Sequence, residues 1–265
     1  MFRSPTPVVK NILIINVAIF AVSYLLNLPV NEWLGLYSIY SENFAVYQFF
    51  TYMWLHGGVG HIFWNMLMIF FLGPLLEQVW GSKRFAIFYL ACGIGAGILF
   101  AGANAIENAS FRADAEQYLT NPSPEGFELF IVKHKSKYRA YYPLEAVGEI
   151  SDNYKRNPAY EGETLSLVRN IYTTVITFGL MVGASGALYG LLFAFAYLFP
   201  NTEFYIYFLF PVKAKYLAFA LAMISIYSEF NRTAGDNVAH LAHLSGMLIA
   251  FILLKFWKND TKRFY

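Results

Sequence analysis

Residues 182–190 read VGASGALYG, a lone hydroxyl among glycines and alanines inside a strongly apolar run. Two physical readings compete. Small residues let membrane helices approach closely, so the motif can serve packing alone. Ser185 can equally be a nucleophile, which needs a base within hydrogen-bond reach. The sequence on either side decides which question is worth asking.

Both flanks look like membrane. Of the 265 residues, 57% are hydrophobic and 14% are charged, where a soluble domain carries roughly a quarter charged residues. Stretches with almost no charge cover residues 11–28, 61–80, 85–105, 171–200, 214–227 and 238–257. A bilayer core takes about 20 apolar residues per helix. The expectation is an all-α, polytopic membrane protein with six transmembrane helices, the fourth starting near Gly183 and the fifth near Ala214. The aromatic share of 19% fits interfacial belts. Arg3 and Lys10 before the first run suggest a secretory signal, but that run ends in Tyr24-Leu-Leu-Asn-Leu-Pro29 with no small-residue cleavage site. It is therefore read as the first membrane helix. The single cysteine, Cys92, has no partner for an internal disulfide. A net charge of +2 gives no reason to expect a nucleic-acid partner.

Charge sets the expected orientation. With the N-terminus in the cytoplasm, Arg3, Lys10, Lys83, Arg84, Lys213, Lys215, Lys255, Lys258, Lys262 and Arg263 fall on the cytoplasmic side. The short loops opposite receive only Arg232, and residues 27–60 hold no Lys or Arg. The positive-inside rule then puts both termini in the cytoplasm. One segment differs in composition. Residues 106–169 hold eight Lys or Arg and ten Asp or Glu, with breakers at Pro122, Pro124, Pro143 and Pro158. It reads as an extramembrane helical hairpin between helices three and four, with short amphipathic helices over 125–138 and 144–154. Long loops cross a membrane largely regardless of charge. The expected organisation is residues 1–105 with helices one to three, 106–170 as insertion and 171–265 with helices four to six, all one domain.

Polar groups inside membrane helices are expensive and mark function by default. Ser185 and Tyr189 share a face at i,i+4, while Gly186 and Gly190 permit close approach of a neighbour. In helix six, His240 and His243 lie at i,i+3, and Ala242 and Gly246 are small residues beside His243. Helices four and six start on the same side, so Ser185 and His243 lie at similar depth. That match in depth is the argument for a nucleophile and base. His61 and Asn65, at i,i+4 near the start of helix two, are donors suited to a developing oxyanion, or else to pinning the helix end. Glu77 lies near the other end of that helix and reads as a structural anchor.

Together these residues resemble the rhomboid intramembrane serine proteases. The resemblance rests on His61-x-x-x-Asn65, Gly73 and Glu77, on Gly183-Ala-Ser185-Gly186, and on Ala242-His243-Leu-Ser-Gly246. It implies a dyad with Ser185 as nucleophile and His243 as base, Tyr189 stacked on the base, and His61, Asn65 and the Ser185 N–H as oxyanion hole. His56 would be a structural histidine of the first loop, and no cofactor or metal is implied. His243 fits the family's His-x-x-Gly; His240 does not. Substrates would be transmembrane proteins, cleaved in a water-filled cavity open to the external face of a membrane taken to be a bacterial plasma membrane. There are two departures. Tyr47-Gln48 stands where relatives carry Trp-Arg, and the insertion stands where many have a short loop. Three rivals rank lower. A metal or haem protein lacks a completed ligand set. A transporter lacks repeats. An inactive rhomboid-like binder of membrane helices would lack the Ser or His that this chain keeps.

Overall fold

The computed structural model describes residues 4–177, 180–206, 210–231 and 239–258. Helix α1 (Pro7–Leu25) is followed by a first loop holding two short helices, α2 (Val30–Leu34) and α3 (Gln48–Thr51), and a 3-10 turn over Tyr52–Trp54. Then come α4 (Val59–Trp80) and α5 (Ser82–Thr120). The insertion contributes α6 (Pro124–Lys133), α7 (Lys135–Tyr138), α8 (Leu144–Arg156) and α9 (Glu161–Thr177). The chain closes with α10 (Ser185–Leu198), a ribbon of β1 (Glu203–Ile206) and β2 (Phe210–Lys213), α11 (Ala214–Phe230) and α12 (His240–Lys258).

Among the described residues, α1, α4, α5 and α12 are long and apolar enough to cross a membrane, and α10 is a shorter apolar helix of 14 residues. The architecture is helical and polytopic, and the chain is an integral membrane protein. The ribbon is an addition to the expected all-α architecture. Its antiparallel register pairs Glu203 with Lys213 and Ile206 with Phe210. Aromatic and β-branched residues favour such pairing.

Helix–helix contact in lipid has little hydrophobic drive, so it depends on close packing at small residues. That is how α5, α10 and α12 meet. A methyl group at Gly186 would lie 2.7 Å from the Ala96 Cβ, and one at Gly190 would lie 2.6 Å from the Cys92 sulfur. A methyl at Gly246 would overlap the Gly186 carbonyl. Helix α1 is held differently. The Glu77 carboxylate accepts hydrogen bonds from the Thr6 and Ser82 hydroxyls and from the Val8 and Val9 N–H groups. It thus caps the start of α1 from another helix and joins α4 to α5. A helix start leaves such N–H groups orphaned unless a side chain takes them.

The insertion is more than a hairpin. Phe111, Ala115, Tyr118, Phe127, Phe130, Tyr138, Val147, Tyr154, Val168 and Ile171 form a second apolar core, separate from that of the bundle. The expected segment 125–138 breaks at His134 into α6 and α7, and 144–154 becomes α8. The composition shift at residue 106 falls inside α5, which runs unbroken for 39 residues and contributes to both cores.

Candidate functional site

The strand before α10 is pinned first. Leu36 and Met181 exchange two backbone hydrogen bonds, and the Gly183 N–H donates to the Tyr52 carbonyl at 2.9 Å. Gly183 then turns with φ +129°, a conformation side chains resist. A Cβ there would also lie 2.8 Å from the His61 ring. Two residues later α10 begins at Ser185, and its first recorded backbone bond is the Leu188 N–H to the Ala184 carbonyl. The N–H groups of the first turn are therefore left for a ligand or solvent, at the positive end of the helix dipole.

Close packing of α10 on α12 brings the next pair together. His243 Nε2 lies 2.9 Å from Ser185 Oγ. The Tyr189 ring stacks on the His243 imidazole with centroids 4.1 Å apart and planes within 9°. His243 Nδ1 is buried without a hydrogen-bond partner among the described residues, so no acid orients the ring from behind. Stacking and packing do that work. His240 meets His243 edge-on at 6.0 Å, one turn away, and does not replace it beside Ser185.

His61 arrives from the start of α4. Its Nδ1 accepts the Gly57 N–H at 3.3 Å. In the neutral ring the proton is then on Nε2. A Cβ built on Gly183 would lie 2.8 Å from that Nε2 and 3.7 Å from Ser185 Oγ, so the donor sits over Gly183, next to the hydroxyl. Asn65, one turn on, is buried, and its amide nitrogen has no partner among the described residues. His56 packs edge-on against His61 at 5.0 Å. Its burial, then the neighbouring His61, hold it down to about 3, so it stays neutral. Gly186 and Gly246 belong to the helix contact that sets the spacing, and Glu77 and Gly73 lie at the far end of α4.

Several positioning residues carry no sequence signature. Tyr52 donates its hydroxyl to the Gly93 carbonyl at 2.6 Å while its own carbonyl holds Gly183, so one loop residue links α5 to the serine strand. Ser225 of α11 is buried beside Tyr189. Gln48 is buried in the first loop, where Oε1 accepts the Tyr37 N–H and Nε2 donates to the Asn43 carbonyl. A neutral amide thus staples this loop at the position where the resemblance puts the relatives' arginine, and Tyr47 donates to the Trp33 carbonyl.

The fold and these residues define a class: polytopic helical membrane proteins with a serine and a histidine paired at one end of a tight three-helix contact. Within it, the family model described as Rhomboid domain matches residues 43–111 and 162–257, well over half of the chain, and the chain belongs to the rhomboid family. Serine protease activity is that family's general chemistry. RHOMBOID-like protein 1 of Arabidopsis thaliana is 43% identical over 54 residues, 20% of this chain and 14% of that protein. An uncharacterised mitochondrial rhomboid protein of Schizosaccharomyces pombe is 34% identical over 93 residues, 31% of this chain and 22% of its own. A protein named Inactive RHOMBOID-like protein 8, also from Arabidopsis thaliana, is 39% identical over 61 residues, 23% of this chain and 17% of its own. The chain thus spans less than a quarter of the length of each of these relatives. They come from a plant and a yeast and lend no support to a bacterial membrane. Residues 112–161, most of the insertion, lie outside the family match.

Proposed function

We propose that this chain is a serine endopeptidase that cleaves transmembrane helices of membrane proteins. The observation that carries the reading is the 2.9 Å approach of His243 Nε2 to Ser185 Oγ under the stacked Tyr189 ring. In this reading Ser185 attacks the scissile carbonyl as Nε2 takes its proton. The developing oxyanion is met by the Ser185 N–H, His61 Nε2–H and the Asn65 amide. The protonated His243 then gives its proton to the leaving amine, and water repeats the sequence on the acyl-enzyme. No metal or cofactor enters. A substrate helix has its amides already paired, so it must unwind locally, and residues that weaken a helix near the cleaved bond favour that. In this reading the apolar stretches give six spans, and the distribution of Lys and Arg supports both termini in the cytoplasm and the site on the external side.

The test is labelling of detergent-purified protein with a fluorophosphonate. Wild type labels, and Ser185→Ala and His243→Ala do not. A second reading, an inactive binder of membrane helices, draws on the relative named inactive. It is favoured instead if folded wild type fails to label. Labelling that survives Ser185→Ala overturns the choice of nucleophile.

A further inference from the structure

A crevice of about 570 Å³ opens between α10, α11 and α12. It lies away from Ser185. Phe193 and Tyr197 are two and three turns along α10, and Phe251 is two turns beyond His243 on α12. Aromatic props keep it open. Phe193 stacks with Tyr197 at 6.3 Å and meets Phe251 edge-on at 6.2 Å. Opposite them α11 presents Ala218 and Ala222, one turn apart, with Lys215 and Phe219 beside them. Small residues facing large ones leave a slot where two helices could have closed.

The slot has a charged mouth. Lys215, in the first turn of α11, lines it. Lys255, in the last turns of α12, holds its ammonium 6.0 Å from the Phe251 ring that walls it. Because α11 begins where α12 ends, both cations stand at the same edge of the bundle. Among the described residues no carboxylate pairs with either, whereas Lys213 has Glu203 directly opposite in the ribbon. Apolar walls under two cations with no acidic partner describe an amphiphile with an anionic head.

We propose that this crevice binds one anionic phospholipid of the adjoining leaflet, with an acyl chain between α10, α11 and α12 and its phosphate between Lys215 and Lys255. The volume is that of a small-molecule site, about 300–1,000 Å³. Basic pockets between membrane helices recruit anionic headgroups. A zwitterionic lipid with the same chains fills the slot but brings its own cation to the mouth. Inorganic phosphate suits the mouth but leaves the apolar walls uncovered. The site is independent of the hydrolytic reading.

Native mass spectrometry of the whole protein in neutral detergent tests it, with phosphatidylglycerol and phosphatidylcholine of identical chains in equal amounts. Wild type is expected to retain one phosphatidylglycerol with a preference of about tenfold, on the scale expected for two cations near a membrane surface. The double variant K215Q/K255Q brings the ratio near one, and Ala222→Phe removes the bound lipid of either kind. Equal retention of the two lipids by wild type overturns the proposal. So does a preference that survives K215Q/K255Q, or displacement of the lipid by inorganic phosphate. The two lysines are exposed and outside the packed core, so the ratio is readable even where Ala222→Phe does not fold.

Discussion

At residue scale, Gly183 is the position with least freedom. Its φ of +129° disfavours any side chain, and a methyl there would reach the His61 ring. Gly183→Ala must either change the backbone turn into Ser185 or push His61 aside, and a shift of about 1 Å costs on the order of a hundredfold in such a site. Fluorophosphonate labelling of Gly183→Ala should therefore slow by about that factor while the melting temperature drops only a little. Labelling at the wild-type rate would remove His61 and this turn from the machinery. The candidate site was readable in the sequence where a polar residue sat among small ones in an apolar run, as at Ser185, His243 and His61. Tyr52 and Ser225 were not readable. Each has an ordinary local context, and its role exists only because Gly93, Gly183 and Tyr189 come to it through tertiary packing.

At the scale of elements, two junctions invite opposite tests. Gly246 and Gly186 set the distance between α12 and α10, and a methyl at Gly246 has nowhere to go. Gly246→Ala should cost about 1–3 kcal/mol as overpacking does and should also abolish labelling, because it drives His243 from Ser185. Gly102 is the control: its Cβ would meet nothing within 4 Å, so Gly102→Ala should be neutral or gain up to about 1 kcal/mol. Thermal melts of the two variants beside labelling read both effects, and equal behaviour would refute the close-contact account. At the other junction, Glu77→Ala strands two N–H groups and two hydroxyls at the α1–α4–α5 corner. A loss of about 2 kcal/mol or more is expected, with labelling kept in the protein that stays folded. Loss of labelling without loss of stability would move Glu77 from anchor to site. The apolar spans were legible because hydropathy alone writes them. The unbroken course of α5 past residue 105 was not, since a composition shift marks a change of surroundings and leaves the backbone free to continue. The ribbon was hidden for a related reason: its aromatic and β-branched residues sit between two apolar helices and read as more of the same.

For the whole molecule, two cores imply two stabilities. The insertion's own core holds His134, whose Nε2 meets the Asp114 carboxylate at 2.7 Å beside Lys133. Burial holds this imidazole below its usual value, although Asp114 works against the shift. A base depressed in the fold is favoured neutral. Its contribution is complete above the unfolded value of about 6.5 and is lost as pH falls through the folded value. His56 in the first loop follows the same sign over a wider window, down to about 3. Hydrogen-exchange protection across 111–171, corrected for the intrinsic rate at each pH, should therefore fall between pH 7 and pH 5 more than protection in α10, and His134→Gln should flatten that difference. An unchanged pH dependence in His134→Gln would assign it to other groups. The insertion also touches the first loop, where the Arg112 guanidinium lies 4.7 Å over the Tyr40 ring, so loosening it reaches the bundle there as well as through α5.

The 39 residues of α5 have a mechanical meaning as well. At about 1.5 Å per residue the helix is a rod of roughly 58 Å. It is clamped partway along, where Tyr52 lies against Gly97 and donates to the Gly93 carbonyl. A sideways push on the insertion at Phe111 acts on an arm of about 21 Å measured from Gly97. The torque arrives at Tyr52, whose carbonyl holds Gly183 in place two residues before the serine. A flexible linker would dissipate such a push within the loop, whereas a continuous helix delivers it to the fulcrum.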